Sequence, residues 1–373
     1  MIRYCNKCVL PSSRPNLVIE SDGTCNACKS TSNKKEVNWE EREKHFLKLV
    51  NQAKDKKSSY DCLIPVSGGK DSTWQTLKCL EYGLRPLTFS YAPPLRTEIG
   101  RNNLQNLIGL GVDHIDYRVN PDLEKAFLLE CFEKKGNIGT PMHTAIFSIA
   151  RILAYNFSIP LIIWGEDSSV EYGGKKDHGL DYEQNESWLK KFGVGYGSNK
   201  ENLFMNEFSK DAAYAYNGVS DGKMKEKQII SIFLGYFFKW DPERTKDVAI
   251  AAGMKINEDT TKLGYWNYAD LDDELISVHH HLKWYKFGFT RLFDNLSVEI
   301  RNGRLDRKQA MSIISDTGDQ TPHQDINTFC KFVGITRGDF EQTMEKFRNR
   351  EIWKKVNQTW LIPNFIVKDW SWV

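Results

Sequence analysis

YDCLIPVSGGKDSTWQTLKCLEYG, Tyr60 to Gly83, carries the clearest fold signal in the chain. Its apolar run from Tyr60 to Val66 ends at a glycine pair, and the helical spacing from Thr73 to Tyr82 stops at Gly83, so it reads as strand, loop, helix. A loop in that position frees the first backbone N–H groups of the helix to converge on an anion, above all a phosphate. Gly68 and Gly69 let the backbone approach closely. Lys70 offers positive charge, Ser67 and Ser72 offer hydroxyl donors, and Asp71 offers a carboxylate for Mg2+ bound to pyrophosphate. The loop is neither GxxxxGK[ST] nor GxGxxG, because its glycines are adjacent.

Working outward, the alternation continues. Strands are expected over Pro86–Tyr91, His114–Val119 and Ile159–Gly165, and helices over Thr97–Leu110, Asp122–Lys135 and Thr140–Asn156. The run IPLIIWG suits a strand covered on both faces. This pattern predicts an α/β fold with a doubly wound parallel sheet. After Asp167 a Gly, Tyr and charge-rich stretch runs to about Lys227, too long for an ordinary loop and hence a candidate for function. Ile229–Trp240 is expected to supply a fifth strand, and helices are expected from Pro242 onward, among them Asp270–Phe287, Asp306–Ser315 and one opened by Thr336 with Asp339 in a capping-box-like start. His279 to His281 are expected to lie on a solvated helical stretch, pointing different ways. Four regions follow: a cysteine head over residues 1–33, a helical linker over 34–57, the α/β body over 58–241 and a mainly helical C-terminal region over 242–373.

Composition narrows the function. Lys plus Arg (51) nearly balance Asp plus Glu (49) in the 373-residue chain, so no net field would hold a nucleic acid. No stretch approaches the roughly 20 apolar residues of a membrane span, and the N-terminus lacks the apolar core of a signal peptide, so no membrane insertion and a cytoplasmic location are expected. Four of the eight cysteines fall in the first 28 residues. Cys5-x2-Cys8 and Cys25-x2-Cys28 are two knuckles able to present four thiolates to one tetrahedral zinc, whose affinity would help fold a head too short to hold a core. Four cysteine ligands leave no position for water, so the zinc reads as structural.

The loop SGGKDS after a first strand resembles the PP-loop of the N-type ATP pyrophosphatases, with their adenine nucleotide alpha hydrolase-like fold. That resemblance implies ATP binding by Val66, Ser67, Gly68, Gly69, Lys70, Asp71 and Ser72, with adenine against the strand ends at Val66, Phe89 and Ser90, acting through backbone. A longer series, RYCxxCVLP, CNAC, SGGKDS, GTPMH, IxWGE, EYGG and KFGFTR, spans nearly the whole chain and resembles the N-acetyl sugar amidotransferases of bacterial surface-polysaccharide, O-antigen and nonulosonic-acid pathways. It implies an enzyme that uses ATP and Mg2+ to adenylate the oxygen of a sugar N-acetyl group, lets ammonia replace it to give an acetamidino sugar, and releases AMP and pyrophosphate. It adds Thr140 and Gly165 to the ATP site, places His143, Glu166, Glu171 and Tyr172 at the substrate, and assigns catalysis to Lys70, Asp71, Glu166, Lys286 and Arg291. Glu166, at the end of a central strand, would orient the amide or ammonia, while Lys286 and Arg291 would neutralise phosphate charge. Asp167 departs from the commoner GEN pattern, which leaves its role open.

Residue 2 is Ile, and Cys62, Cys79, Cys131 and Cys330 lie in apolar or helical contexts, so a built-in glutaminase is not expected. Ammonia would come from a separate glutaminase and cyclase-like pair. The alternative enzyme is a PP-loop tRNA thiolase, against which stand the absence of CxxC in the body and the balanced charge. A zinc-ribbon adaptor without catalysis would not explain Lys70, Asp71 and Ser72 together.

Overall fold

The computed structural model describes residues 2–174, 181–193, 213–258 and 263–372. Five strands, β1 (Cys62–Pro65), β2 (Pro86–Tyr91), β3 (Asp113–Tyr117), β4 (Leu161–Trp164) and β5 (Ile230–Phe233), form one parallel sheet in the order β3-β2-β1-β4-β5. In β1 successive side chains enter opposite cores. Cys62 and Ile64 pack with the helices Trp39–Asp55, Lys70–Glu81 and Pro242–Ala251, whereas Leu63 joins Leu87, Phe89 and Ile162 under the helices Pro121–Lys135 and Gly139–Phe157. Helices on both faces make the sheet doubly wound, as the alternation predicts. The chain order reverses between β1 and β4, which places a crevice at their carboxyl ends.

Several expectations change. The run Ile229–Trp240 is a four-residue strand followed by a helical turn, Leu234–Phe237. The bend has a local cause: Gly235 donates its N–H to the Gly165 carbonyl at 2.9 Å, and a Cβ there would lie 3.3 Å from Glu166 Cα. The helix expected from Asp270 begins at Ile276. Asp270 holds a left-handed φ of 57°, and the Asp272 carbonyl accepts from Thr97 N–H at 3.1 Å, so this segment is pinned across the crevice. The three histidines expected to be solvated are buried, because their helix packs between the crevice and the helices of the C-terminal region. The C-terminal region also holds an antiparallel hairpin, Lys354–Val356 with Thr359–Leu361, whose turn residues Asn357 and Gln358 take positive φ.

The 34–57 segment is more than a linker. Its amphipathic helix Trp39–Asp55 buries Phe46, Leu49, Val50 and Ala53 in the main core. The cysteine head in turn shares a core with Trp284, Phe289, Phe293 and Trp353, far along the chain. No helix among the described residues is long and apolar enough to cross a membrane. The expected functional stretch after Asp167 lies partly outside the described residues, at 175–180 and 194–212.

Candidate functional site

The loop after β1 is self-braced. Ser67 N–H donates to Ser72 Oγ (3.4 Å), Ser72 Oγ donates to the Gly69 carbonyl (3.1 Å), and Gly69 N–H donates to Ser67 Oγ (3.3 Å). Gly69 is the N-cap of the helix Lys70–Glu81 and has no side chain to satisfy the first-turn N–H groups, and Lys70, Asp71 and Ser72 of that turn line a recess. Gly68 has a different task from the one its motif suggests. Its φ is +84°, and a Cβ would meet Leu104 N at 2.5 Å, so it lets the loop lie against the helix Glu98–Ile108. Gly68→Ala is therefore expected to destabilise the protein by at least about 2 kcal/mol, from left-handed strain plus a clash with backbone, read as a lowered denaturant midpoint. An unchanged midpoint would contradict this close approach.

Asp71 is held from three sides. Its Oδ1 accepts from Trp240 Nε1 (2.9 Å) and Thr245 Oγ1 (3.1 Å), and its Oδ2 pairs with Lys70. The buried Lys70 ammonium also lies 5.8 and 5.7 Å from the Trp240 and Trp266 ring centroids. Gln75 Nε2 donates to the Ile163 carbonyl (2.8 Å), tying this helix to β4, and Gly165 then brings Glu166 to the far side of the loop.

A cavity of about 1050 Å³ opens here, with a recess of about 230 Å³ between the loop and the Tyr268–Asp272 segment. Of the expected residues, Val66, Ser67, Asp71, Ser72, Phe89, His143, Gly165, Glu166, Tyr172, Lys286 and Arg291 line the cavity, and Gly69 and Lys70 line the recess. Others lie elsewhere. Ser90 donates to Asp116 Oδ1 (2.6 Å) beside Arg96, away from the cavity, and the Phe89 carbonyl is occupied by Val66 N–H (2.8 Å). Thr140 is buried at a helix start, its N–H bonded to Asn137 Oδ1 (3.2 Å). Glu171 pairs with Lys34 at the start of the 34–57 segment, and its carbonyl accepts from Arg301 Nη2 (2.6 Å). His143 Nδ1 meets the Gly139 carbonyl at 2.7 Å. Lys286 Nζ donates to the Lys135 carbonyl (2.7 Å), and burial lowers its pKa. Asp167 accepts from Ser169 N–H (2.9 Å) and Trp188 Nε1 (3.2 Å), so it caps the short helix Ser168–Glu171.

Burial and the Asp71 charge raise Glu166 from 4.5 to about 7, against the pull of Lys70. A carboxyl whose folded pKa lies above its unfolded value stabilises the fold fully below the unfolded pKa, and that contribution is lost as pH rises through the folded one. Glu166→Gln should therefore raise the unfolding free energy increasingly between pH 4.5 and 7 and by a constant margin above, on the order of 3 kcal/mol, with the melting temperature rising in step. A margin that does not change with pH would contradict the burial of this carboxyl.

The opposite wall comes from parts of the chain in which no motif marked most of these residues. Arg14 of the head pairs with Asp294 (2.8 Å), Arg291 Nε donates to Asp270 Oδ2 (2.9 Å), and both guanidinium groups lie over the Tyr172 ring. Burial would raise Asp270, but Arg291 and His280 hold it well below the usual carboxylate range. Burial and the neighbouring Asp270 charge raise Asp272 to about 6, against the weaker pull of Arg96. Only KFGFTR signalled this wall, through Lys286 and Arg291. Apart from His280 and Lys283, three residues apart on one helix, the residues Arg14, Asp270, His280, Lys283 and Asp294 carry no spacing that links them.

The four head cysteines are all buried, with their Sγ atoms within 4.8 Å of one another, Cys5 to Cys28 at 4.0 Å and Cys8 to Cys25 at 3.7 Å. A zinc with bonds of about 2.3 Å sets tetrahedral sulfur separations of roughly 3.8 Å, so the thiols fit the ion. Arg307 Nε donates to the carbonyls of Cys5 and Cys8 (3.2 and 3.1 Å), which braces the first knuckle.

Residues 260–365 match the family model described as "LPS biosynthesis protein WbpG-like, C-terminal domain". This region, which supplies Asp270, His280, Lys283, Arg291 and Asp294, is thus similar to a domain of LPS biosynthesis proteins. Among solved structures, the chain is similar to NMN synthetase from Francisella tularensis, with 13% identity over 60% of this chain and 100% of that one and a TM-score of 0.28. No curated protein matches the chain.

Proposed function

We propose that this protein is an ATP-dependent amidotransferase of the PP-loop type, acting on an N-acetylated sugar for a bacterial surface polysaccharide. One observation carries the reading. The Ser67–Ser72 loop and Glu166, at the reversal point of the sheet, open into a cavity whose far wall is built by the segment similar to LPS biosynthesis proteins. A volume of about 1050 Å³ is at the upper end of the ~300–1,000 Å³ usual for small-molecule sites, which suits a nucleotide and a sugar together.

The residues fit ATP and Mg2+. The unsatisfied N–H groups at the helix start, with Lys70, Ser67 and Ser72, would hold the phosphates. Asp71 Oδ2, freed as Lys70 turns toward phosphate, is the oxygen left to hold Mg2+, which when bound neutralises pyrophosphate charge. Arg291 stays charged against Asp270 and faces both the cavity and the recess, where it can meet negative charge at the activated amide. An amide is a poor electrophile, and adenylation of its oxygen makes a leaving group that ammonia displaces, giving an acetamidino group. Glu166, poised near neutrality, accepts a hydrogen bond from the amide N–H or from ammonia. Ammonia is supplied by a separate glutaminase.

The test uses ATP, Mg2+, ammonium and a panel of free and nucleotide-linked N-acetyl sugars. AMP and pyrophosphate should form in equal amounts, and the sugar should lose one dalton as oxygen is exchanged for NH. Release of ADP and phosphate would refute the reading.

A further inference from the structure

Three polar side chains on the far wall form a chain that ends in the cavity. Asp270 Oδ2 lies 3.5 Å from His280 Nε2, and His280 Nδ1 lies 3.0 Å from Lys283 Nζ, one helical turn away. An ammonium at Lys283 can only donate, so His280 Nδ1 carries the lone pair and its proton sits on Nε2, facing the Asp270 carboxylate. Arg291 fixes Asp270 from the other side at 2.9 Å. His280 is buried and held neutral, down to about 4, so it does not compete for Lys283's proton.

Resting on the amidotransferase reading, we propose that Lys283 is the group that accepts the proton lost when ammonia adds to the activated amide, with Asp270 and His280 as its positioning residues. The ammonia lone pair forms the C–N bond at the acetyl carbon, and the new nitrogen then carries an extra proton. That proton passes to the neutral Lys283 amine. The C–O bond to the adenylyl oxygen breaks, AMP leaves with the electron pair, and an amidinium remains. Lys283 returns the proton to solvent through the cavity mouth.

The surroundings tune Lys283 for this. Burial lowers it to about 8, with the positive charges of Arg291 and Arg14 adding to that fall and Asp294 and Asp270 opposing it. These groups come from the helix Arg291–Arg301, the head and the segment before the lysine's own helix, while His143, also held neutral by burial, faces it from the helix Gly139–Phe157. A base with a pKa near the working pH transfers protons with best effect.

The experiment separates the two halves of the reaction. Adenylation is read as exchange of labelled pyrophosphate into ATP with the sugar present. Amidine formation is read as the N-hydroxyamidine formed with hydroxylamine, a nucleophile unprotonated at neutral pH, so that its own titration does not mask the enzyme's. In Lys283→Met and Lys283→Arg the ratio of amidine formation to exchange should fall on the order of 100-fold, and the rise in rate toward pH 8 should disappear. His280→Asn should shift that rise without abolishing it. An unchanged ratio, or an equal loss of both half-reactions in both Lys283 variants, overturns the assignment. Absence of exchange in the unaltered protein overturns the amidotransferase reading itself, and the assignment with it.

Discussion

Asp71→Asn is expected to reduce pyrophosphate release on the order of 100- to 1,000-fold, the scale of losing one preorganised electrostatic group at a reacting centre. The reason lies in how completely the side chain is committed. Asn can still accept from Trp240 and Thr245 through Oδ1, so the helix stays seated against Pro242–Ala251. What it loses is the second anionic oxygen, which pairs with Lys70 at rest and which, on the proposed amidotransferase reading, would be the one to hold Mg2+ during turnover. The measurement is steady-state pyrophosphate release beside a thermal melt and a zinc assay. A folded, zinc-loaded variant with undiminished turnover would remove Asp71 from the chemistry.

Cys25→Ser should have the largest effect on stability. Structural zinc contributes roughly 10–16 kcal/mol to folding in small zinc modules, and losing one of four ligands forfeits much of that binding. Here the damage should reach far beyond the head. The knuckles pack against Phe289, Leu292 and Phe293, in the same core as Trp284 and Trp353, whose ring centroids are 5.0 Å apart. Arg14, seated between the knuckles in sequence, leaves the cavity wall if the head loosens. The variant, or the unaltered protein stripped by chelator, should lose its one equivalent of zinc and shift tryptophan fluorescence to the red, and sugar-dependent turnover should fail. Full zinc content in Cys25→Ser, or a chelated protein with an unmoved spectrum, would show that the head does not depend on the ion.

These two sites differ in how they were legible. The SGGKDS loop is local: a strand, a glycine turn and a helix start are read from neighbouring residues, and its place at a sheet crevice follows from the alternation around it. The cysteine head is nearly as legible, since two CxxC pairs suffice to define a tetrahedral donor set. Glu166 was within reach for the same reason, as the residue that ends an apolar central strand. Gly68 was legible as a needed glycine but for the wrong contact, because the helix Glu98–Ile108 that it admits lies thirty residues on.

The periodicity of a doubly wound α/β body, the thiol set and the loop at the crevice are all readable along the chain. Each depends on hydrophobic period, turn chemistry or fixed short spacing, which are properties of contiguous residues. The meeting of Arg14, Asp270, His280, Lys283 and Asp294 on one wall, the burial of three histidines in a row and the core shared by head and C-terminal region emerge only on folding. Those are contacts between segments 280 residues and more apart, fixed by which faces pack together, and no local pattern encodes them.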